Sequence, residues 1–302
     1  MLKILNIVGA RPNFMKIAPL MRAFDSDSSR FDARLVHTGQ HYDEAMKDAF
    51  FRQLGIPEPD IDLGVGSGSH ALQTAEIMRR FEPVVDDFAP DAVLVVGDVN
   101  STIACALVAS KKQVPVIHVE AGLRSRDRRM PEEINRVLTD QLSELLFTTE
   151  ADAETNLVRE GIPLERIHFV GNVMIDTLYA NQRRAIPAER TLDGLEGFSD
   201  GTANFGVLTL HRPSNVDDPE VLERLLKVLA DISATTPLVF PMHPRTRSKI
   251  DEFGLGPLLD SGSIALTEPL GYLELLGLMI KAKVVLTDSG GLQEETTALG
   301  VP

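Results

Sequence analysis

Two carboxylates stand where apolar runs give way to a predicted helix or to a glycine. Asp98 follows the run Val93–Val96, and Glu120 follows the run that starts at Val116. Ligands of open α/β sheets bind at the carboxyl ends of the strands, so both side chains are expected in a cleft. Carboxylates gathered in a cleft raise one another's pKa, which suits them to general acid and base work. Capping of the following helix is an equally good interpretation of Asp98.

Basic residues follow the first predicted strand in a similar way. Arg11 and Lys16 come after Gly9, at the end of the run Lys3–Val8. This placement predicts that they line the cleft, and a strand-to-helix turn with solvated charges is the alternative. The turn does not have the spacing G-x-G-x-x-G, so it carries no dinucleotide fingerprint.

A second pair of acids lies at the start of a predicted helix. Pro131 suits the first helical position, and Glu132 and Glu133 follow it in the first turn. Interaction with the helix dipole explains both acids without any catalytic role.

Two histidines follow strands in the second half of the chain. His211 stands next to Arg212, and His243 precedes Pro244 and Arg245. A histidine beside an arginine at a strand end favours a role opposite the carboxylates of the first half. The histidines do not have the paired spacing of a zinc site, so no metal is predicted.

The strongest local signal is an anion site at Ser289-Gly290-Gly291. A strand ends here and a helix begins, and the glycines let backbone N–H groups approach a phosphate. Glu294 or Glu295, one turn into the helix, is placed to bind ribose hydroxyls. A helix capped by Ser289 is the simpler alternative.

Short apolar runs alternate with helical stretches along the chain, which predicts α/β architecture with parallel sheets. Six strands are expected in residues 1–184 and four in residues 205–302, among them 145–148, 238–241 and 284–287. Helices are expected at 43–54 in the first part and at 219–234, 271–281 and 290–299 in the second. Residues 185–204 are rich in Pro, Gly and acids without a sustained period, which indicates a linker. Because the chain stops where another buried strand is expected, we expect the second domain to be incomplete at its C-terminus.

Composition excludes several classes of protein. The 302 residues suggest two domains, and 44 acidic against 30 basic residues give a net charge of −14, which argues against a nucleic-acid-binding role. The single cysteine, Cys105, excludes an internal disulfide framework. No apolar run has the length of a membrane span or of a signal peptide, so a cytoplasmic protein without a membrane partner is expected.

The motifs, taken together, resemble one family. The chain is similar over its whole length to the non-hydrolysing UDP-N-acetylglucosamine 2-epimerases, in motif order and approximate spacing. The motifs that carry the resemblance are GARPN, TGQH, GDVNST, HVEAGLRS, PEEINR, LHRP and TDSGGLQEE.

The resemblance implies two Rossmann-like domains in a GT-B-type arrangement, with the UDP-sugar substrate between them. It also implies a homodimer and a reaction without a cofactor, in which UDP is eliminated to a glycal and then added back. By motif it assigns catalytic roles to Asp98, Glu120, Glu132 and His211. The substrate-binding residues it implies are Arg11, Lys16, Arg136 and His243 in the cleft, Ser289, Gly290 and Gly291 at the diphosphate, Glu295 at the ribose, and Pro269 and Tyr272 in the uracil loop.

Three other functions fit parts of the pattern. A 2-epimerase of UDP-2,3-diacetamido-glucuronic acid shares the features HYD and RRMPEEINR. An inverting glycosyltransferase of similar fold needs fewer carboxylates than this chain offers. A catalytically silent nucleotide-sugar-binding protein would not need the acid/base set.

Overall fold

The computed structural model describes residues 1–39, 51–195, 198, 204–260 and 263–302, without the side chains of Arg11 and Pro12. These residues form two compact units, Met1–Thr177 and Leu178–Pro302. Gln40 and His41 of the TGQH motif lie outside the described residues, as does most of the helix expected at 43–54.

The described residues of the first unit form seven strands with helices between them. The strands are β1 (Leu2–Val8), β2 (Phe31–His37), β3 (Ile61–Asp62), β4 (Ala92–Val96), β5 (Val116–Ala121), β6 (Leu145–Thr148) and β7 (Ile167–Phe169). The helices are α1 (Arg11–Ser26), α2 (His70–Phe88), α3 (Asn100–Lys111), α4 (Pro131–Leu142) and α5 (Ala151–Arg159).

The first sheet is parallel and has the order β3-β2-β1-β4-β5-β6-β7. The last four residues of β4 are all buried, as expected for a strand covered by helices on both faces. Helix α2 buries Ile77, Phe81 and Val85, whose four-residue spacing places them on one face. The chain order reverses between β1 and β4, which is where ligands bind in folds of this kind.

Helix α6 (Val173–Gln182) crosses from the first unit into the second. The other described elements of the second unit are β8 (Gly206–Thr209), β9 (Leu238–Pro241), β10 (Ile264–Thr267) and β11 (Val284–Thr287), with α7 (Ala188–Leu192), α8 (Pro213–Val216), α9 (Pro219–Ser233), α10 (Pro244–Phe253), α11 (Tyr272–Lys281) and α12 (Gly290–Leu299). The second sheet is parallel with the order β10-β9-β8-β11, so its order reverses between β8 and β11.

The division between the two units lies before the predicted linker. The two units divide at Thr177, earlier than the expected boundary at residue 184, and the described part of 185–204 belongs to the second unit. The backbone N–H of Ile186 donates to the Leu273 carbonyl at 3.0 Å, and Ala188 and Leu192 are buried. A five-residue helix is too short to show a sequence period, so composition alone predicted a linker here.

Among the described residues, no helix is both long enough and apolar enough to cross a membrane.

Candidate functional site

The carboxyl edge of the first sheet brings Lys16 and Glu120 together. Lys16 Nζ donates to Glu120 Oε1 at 2.6 Å, and both side chains are about nine-tenths buried. Glu120 has a φ of +72°, and the register between β5 and β6 shifts at this position. A positive φ is strained for a residue with a side chain, and such strain is concentrated at functional sites. The bulge therefore turns the Glu120 carboxylate toward the lysine rather than along the strand.

Gly97, at the end of β4, makes room for this pair. Its φ is +64°, and a Cβ here would lie 3.0 Å from Lys16 Nζ and 3.7 Å from Glu120 Oε1. Asn13, in the first turn of α1, fixes the same turn because its Nδ2 donates to the Val96 carbonyl at 2.9 Å. The positive φ thus favours glycine at residue 97, and a Cβ there would crowd the Lys16 ammonium.

Asp98 forms an ion pair with Arg136 of α4, and both side chains are more than four-fifths buried. Asn135, the preceding residue of α4, donates from Nδ2 to the Asp98 carbonyl at 2.9 Å. The Asp98 carboxylate therefore pairs with the Arg136 guanidinium and does not cap α3. The start of α3 has no side-chain capping hydrogen bond. Two of the predicted carboxylates, Asp98 and Glu120, therefore each have a basic partner.

Glu132 and Glu133 are adjacent in sequence but have different surroundings. Glu133 is buried and accepts hydrogen bonds from the backbone N–H groups of Ser125 and Arg126, both at 2.9 Å. Burial raises the pKa of Glu133, but these hydrogen bonds and the charge of Arg136 outweigh it and lower the pKa overall. Glu132 is partly exposed, and its carboxylate has no hydrogen-bond or ion-pair partner within the described part of the chain. Glu133 thus holds the preceding loop, whereas the Glu132 carboxylate makes no such contact among the described residues.

A buried network beneath this edge was not predicted from the sequence. His118 Nδ1 lies 2.6 Å from Asp140 Oδ1, and its Nε2 lies 2.8 Å from the Gly97 carbonyl oxygen. Asp140 also accepts from the Gly122 N–H at 3.1 Å and pairs with Arg124 at 2.7 Å. The network therefore ties the turn before Asp98 to the turn after Glu120. His118 and Arg124 lie in the HVEAGLRS motif, whereas Asp140 has no signal in the sequence because it meets them only in the fold.

In the second unit, His211 follows β8 and meets Asp288, which follows β11. His211 Nδ1 lies 2.9 Å from Asp288 Oδ1. Burial would raise the pKa of Asp288, but hydrogen bonds from His211, Arg212 and Asn215 outweigh it and hold the pKa well below its usual range. Sequence reasoning missed Asp288 as a partner, although it stands in the TDSGG motif.

The residues predicted to form an anion site lie at the start of α12. Ser289 caps the helix by accepting from the Leu292 N–H at 3.5 Å, and Gly290 and Gly291 begin the first turn. A Cβ on Gly290 would be 3.7 Å from Arg212 Nη2, an ordinary contact, so packing alone does not demand glycine there. The capped helix and the anion site are thus compatible interpretations.

Tyr272 and Glu295 form a buried pair. Tyr272 Oη donates to Glu295 Oε1 at 2.9 Å, and each residue is at most 4% exposed. Burial raises the pKa of Tyr272, and the charge of Glu295 adds to the rise. The bond fixes the Glu295 side chain on α12.

The remaining predicted site residues lie at helix starts and in a loop. His243 caps α10, and its Nδ1 accepts from the Arg245 N–H at 3.2 Å. Pro269 is exposed in the loop after β10, and Arg11 is the first residue of α1. Across the described ranges, no cluster of three or more His, Cys, Asp or Glu side chains could hold a metal ion.

Comparison with known proteins identifies relatives of the whole chain. The model of the family described as UDP-N-acetylglucosamine 2-epimerase matches residues 23–302. A UDP-N-acetylglucosamine 2-epimerase of Methanococcus maripaludis is 44% identical, and the match covers 100% of this chain and 82% of that protein. A UDP-2,3-diacetamido-2,3-dideoxy-D-glucuronate 2-epimerase of Pseudomonas aeruginosa is 43% identical with the same coverage.

A solved structure has the same fold. It is the UDP-GlcNAc 2-epimerase of Methanocaldococcus jannaschii in complex with UDP-GlcNAc and UDP, with 41% identity and a TM-score of 0.88. The match covers 100% of this chain and 83% of that one. The likeness confirms the predicted fold class, α/β with two Rossmann-like domains of the GT-B type.

Proposed function

The chain belongs to the UDP-N-acetylglucosamine 2-epimerase family, and from this membership we propose that it interconverts UDP-N-acetylglucosamine and UDP-N-acetylmannosamine. One structural observation carries the proposal. Asp98 and Glu120 lie at the carboxyl edge of the first sheet, each paired with a basic side chain. Glu132, on the helix that supplies Arg136, adds a third carboxylate.

The reaction has to work at a carbon whose proton is not acidic. C2 of the sugar is not next to a carbonyl, so elimination is the accessible route. The C2–H bond breaks and its electron pair forms the C1=C2 double bond, while the C1–O bond breaks and its pair leaves with UDP. UDP then adds back to C1, and C2 takes a proton on its opposite face.

The acid/base groups for both reaction steps, the elimination and the re-addition of UDP, are Asp98, Glu120, Glu132 and His211. Lys16 and Arg136 keep two of these carboxylates oriented by ion pairs. Together with Arg11 and His243 they form the set that contacts the substrate.

The second unit offers the groups that suit the nucleotide. Backbone N–H groups of Ser289, Gly290 and Gly291 at the start of α12 bind the diphosphate, where charge develops as UDP leaves. Glu295, fixed by Tyr272, binds the ribose, and the loop with Pro269 contacts the uracil.

Proton NMR in D₂O tests this proposal. UDP-N-acetylglucosamine incubated with the protein should give UDP-N-acetylmannosamine with deuterium at C2. Glu120→Gln should lower kcat by about 100-fold or more, since general acid–base catalysis contributes at least that factor. Asp251→Asn, an exposed change on α10, is the matched control and should keep the wild-type rate. No epimer and no deuterium in the wild type would contradict the proposal.

A second substrate is supported by the Pseudomonas relative, whose identity to this chain is within one percentage point of the first relative's. UDP-2,3-diacetamido-2,3-dideoxy-D-glucuronate has the same C2 chemistry and differs by a carboxylate and a second acetamido group. The same NMR assay with this sugar, compared by kcat/KM, decides between the two activities.

We further propose that the enzyme is a homodimer in the cytoplasm. The family resemblance supports the dimer, and the free, buried thiol of Cys105 is compatible with a reducing compartment. Light scattering after gel filtration measures the mass, and a monomer would contradict this part of the proposal.

A further inference from the structure

The second sheet places His211 and Asp288 side by side through its topology. Strands β8 and β11 are neighbours, with Thr209 opposite Thr287, and the strand order reverses between them. The residues that follow these two threonines therefore meet at the carboxyl edge, where ligands bind in open α/β sheets.

Hydrogen-bond donors and the His211 ring surround the Asp288 carboxylate. The backbone N–H groups of His211 and Arg212 donate to Oδ2 at 2.9 and 2.8 Å, and Asn215 Nδ2 donates to the same oxygen at 3.1 Å. Nδ1 of His211 lies 2.9 Å from Oδ1. A carboxylate only accepts, so this ring nitrogen carries a hydrogen.

Exposure separates the roles of the two side chains. The Asp288 side chain is 8% exposed, whereas that of His211 is 40% exposed. The ring of His243 lies beside that of His211, with the two centroids 5.6 Å apart. Asp288 is thus buried behind the imidazole, and any contact with a substrate is made by His211.

We propose that Asp288 is the positioning residue of His211, which holds the ring with its hydrogen on Nδ1 so that Nε2 is the atom that exchanges a proton with the substrate. This inference rests on the proposed function, in which His211 belongs to the acid/base set. When Nε2 takes a proton the ring becomes an imidazolium, and when it gives that proton back the ring is neutral again. Asp288 stays ionised throughout, since its low pKa keeps the proton on the ring.

The first test uses the wild-type protein and does not depend on activity. Nitrogen-15 NMR distinguishes protonated from unprotonated ring nitrogens, and a His211→Gln variant identifies the His211 signals among the seven histidines. In the neutral ring, Nδ1 should be protonated and Nε2 unprotonated. A neutral ring protonated on Nε2 overturns the inference, whatever the enzyme does.

The second test is Asp288→Asn. The amide oxygen can still accept from the backbone N–H groups, while its NH₂ group donates to Nδ1 and moves the ring hydrogen to Nε2. We expect the NMR signals to report this inverted tautomer. The kcat should fall by about 100-fold or more, as an inverted tautomer does to a catalytic histidine.

If Asp288 acts only on the proton-transfer step, Asp288→Asn should change UDP affinity and KM by less than about threefold. A purely structural role predicts instead that kcat and UDP affinity fall together, without a change of tautomer. Asp251→Asn is again the control for charge loss on this unit. An inverted tautomer with wild-type kcat, or equal losses of kcat and UDP affinity without a tautomer change, overturns the inference. A wild-type enzyme inactive on both sugars overturns the proposed function and leaves the NMR test of Asp288 standing.

Discussion

At the scale of single residues, Glu132 and Glu133 of α4 allow effects on stability and effects on catalysis to be tested separately. Glu133→Gln should destabilise the protein by about 1–3 kcal/mol, because the buried carboxylate that accepts from Ser125 and Arg126 is lost. Glu132→Gln should change stability by less than about 0.5 kcal/mol, because this side chain is partly exposed. The kcat of Glu132→Gln should instead fall by about 100-fold or more.

Each variant is the control for the other in this comparison. Urea unfolding gives the free energies, and the NMR assay gives kcat on the same preparations. A Glu132→Gln enzyme with full activity, or a Glu133→Gln protein as stable as the wild type, would contradict the assignment of the two roles.

The sequence marks candidate site residues but not the contacts that they make in the fold. Strand ends and glycines mark Asp98 and Glu120 as candidates. The segment PEE alone does not distinguish Glu132 from Glu133. The contacts Asp288–His211 and Asp140–His118 join residues far apart in the chain. Such pairs form only when the strands and helices pack in their final order, and that order cannot be read from a single sequence.

At the scale of elements, two helical glycines of the second unit differ in what surrounds them. A Cβ on Gly277 of α11 would lie 1.7 Å from the Ile186 carbonyl oxygen, a backbone atom that has no freedom to rotate away. A Cβ on Gly290 of α12 would make only an ordinary contact with Arg212. Packing therefore demands glycine at residue 277 but not at residue 290.

Gly277→Ala should destabilise the protein by about 2–3 kcal/mol, the cost of overpacking a close contact. Gly290→Ala should stay within about 0.5 kcal/mol of the wild type, so any loss of UDP binding in it reports on the ligand site. Thermal unfolding and UDP titration measure the two effects. Equal stability of both variants would mean that the segment at Ile186 does not pack against α11 in solution.

Most strands were predictable because burial on both faces leaves a continuous apolar run. Strands β6, β9 and β11 lie within the predicted ranges, whereas β3 was missed because two residues make no run. Helix α10 was also missed, although His243 and Pro244 mark its start. Its residues Arg245, Arg247 and Lys249 give it too few apolar positions for a clear period.

At the scale of the whole molecule, the chain has 44 acidic residues, so its free energy of unfolding depends on pH. Two of them, Glu133 in the first unit and Asp288 in the second, have a lower pKa in the folded state because donors converge on them. A carboxylate of this kind binds fewer protons when folded than when unfolded. Its stabilisation is therefore full above the pKa of the unfolded chain, about 4, and is lost as the pH falls through the folded pKa.

The stability difference between the wild type and Glu133→Gln should accordingly shrink on acidification. Each such carboxylate contributes a slope of at most about 1.4 kcal/mol per pH unit, and glutamine has no proton to bind. Urea unfolding at about pH 7, pH 5 and pH 3 should show a constant difference between the first two and a smaller one at the third. Asp288→Asn should behave in the same way, and Asp251→Asn, an exposed change, should follow the wild type at every pH. If the stability difference between the wild type and one of these two variants stays constant down to about pH 3, the carboxylate replaced in that variant does not owe its stabilising effect to its charge.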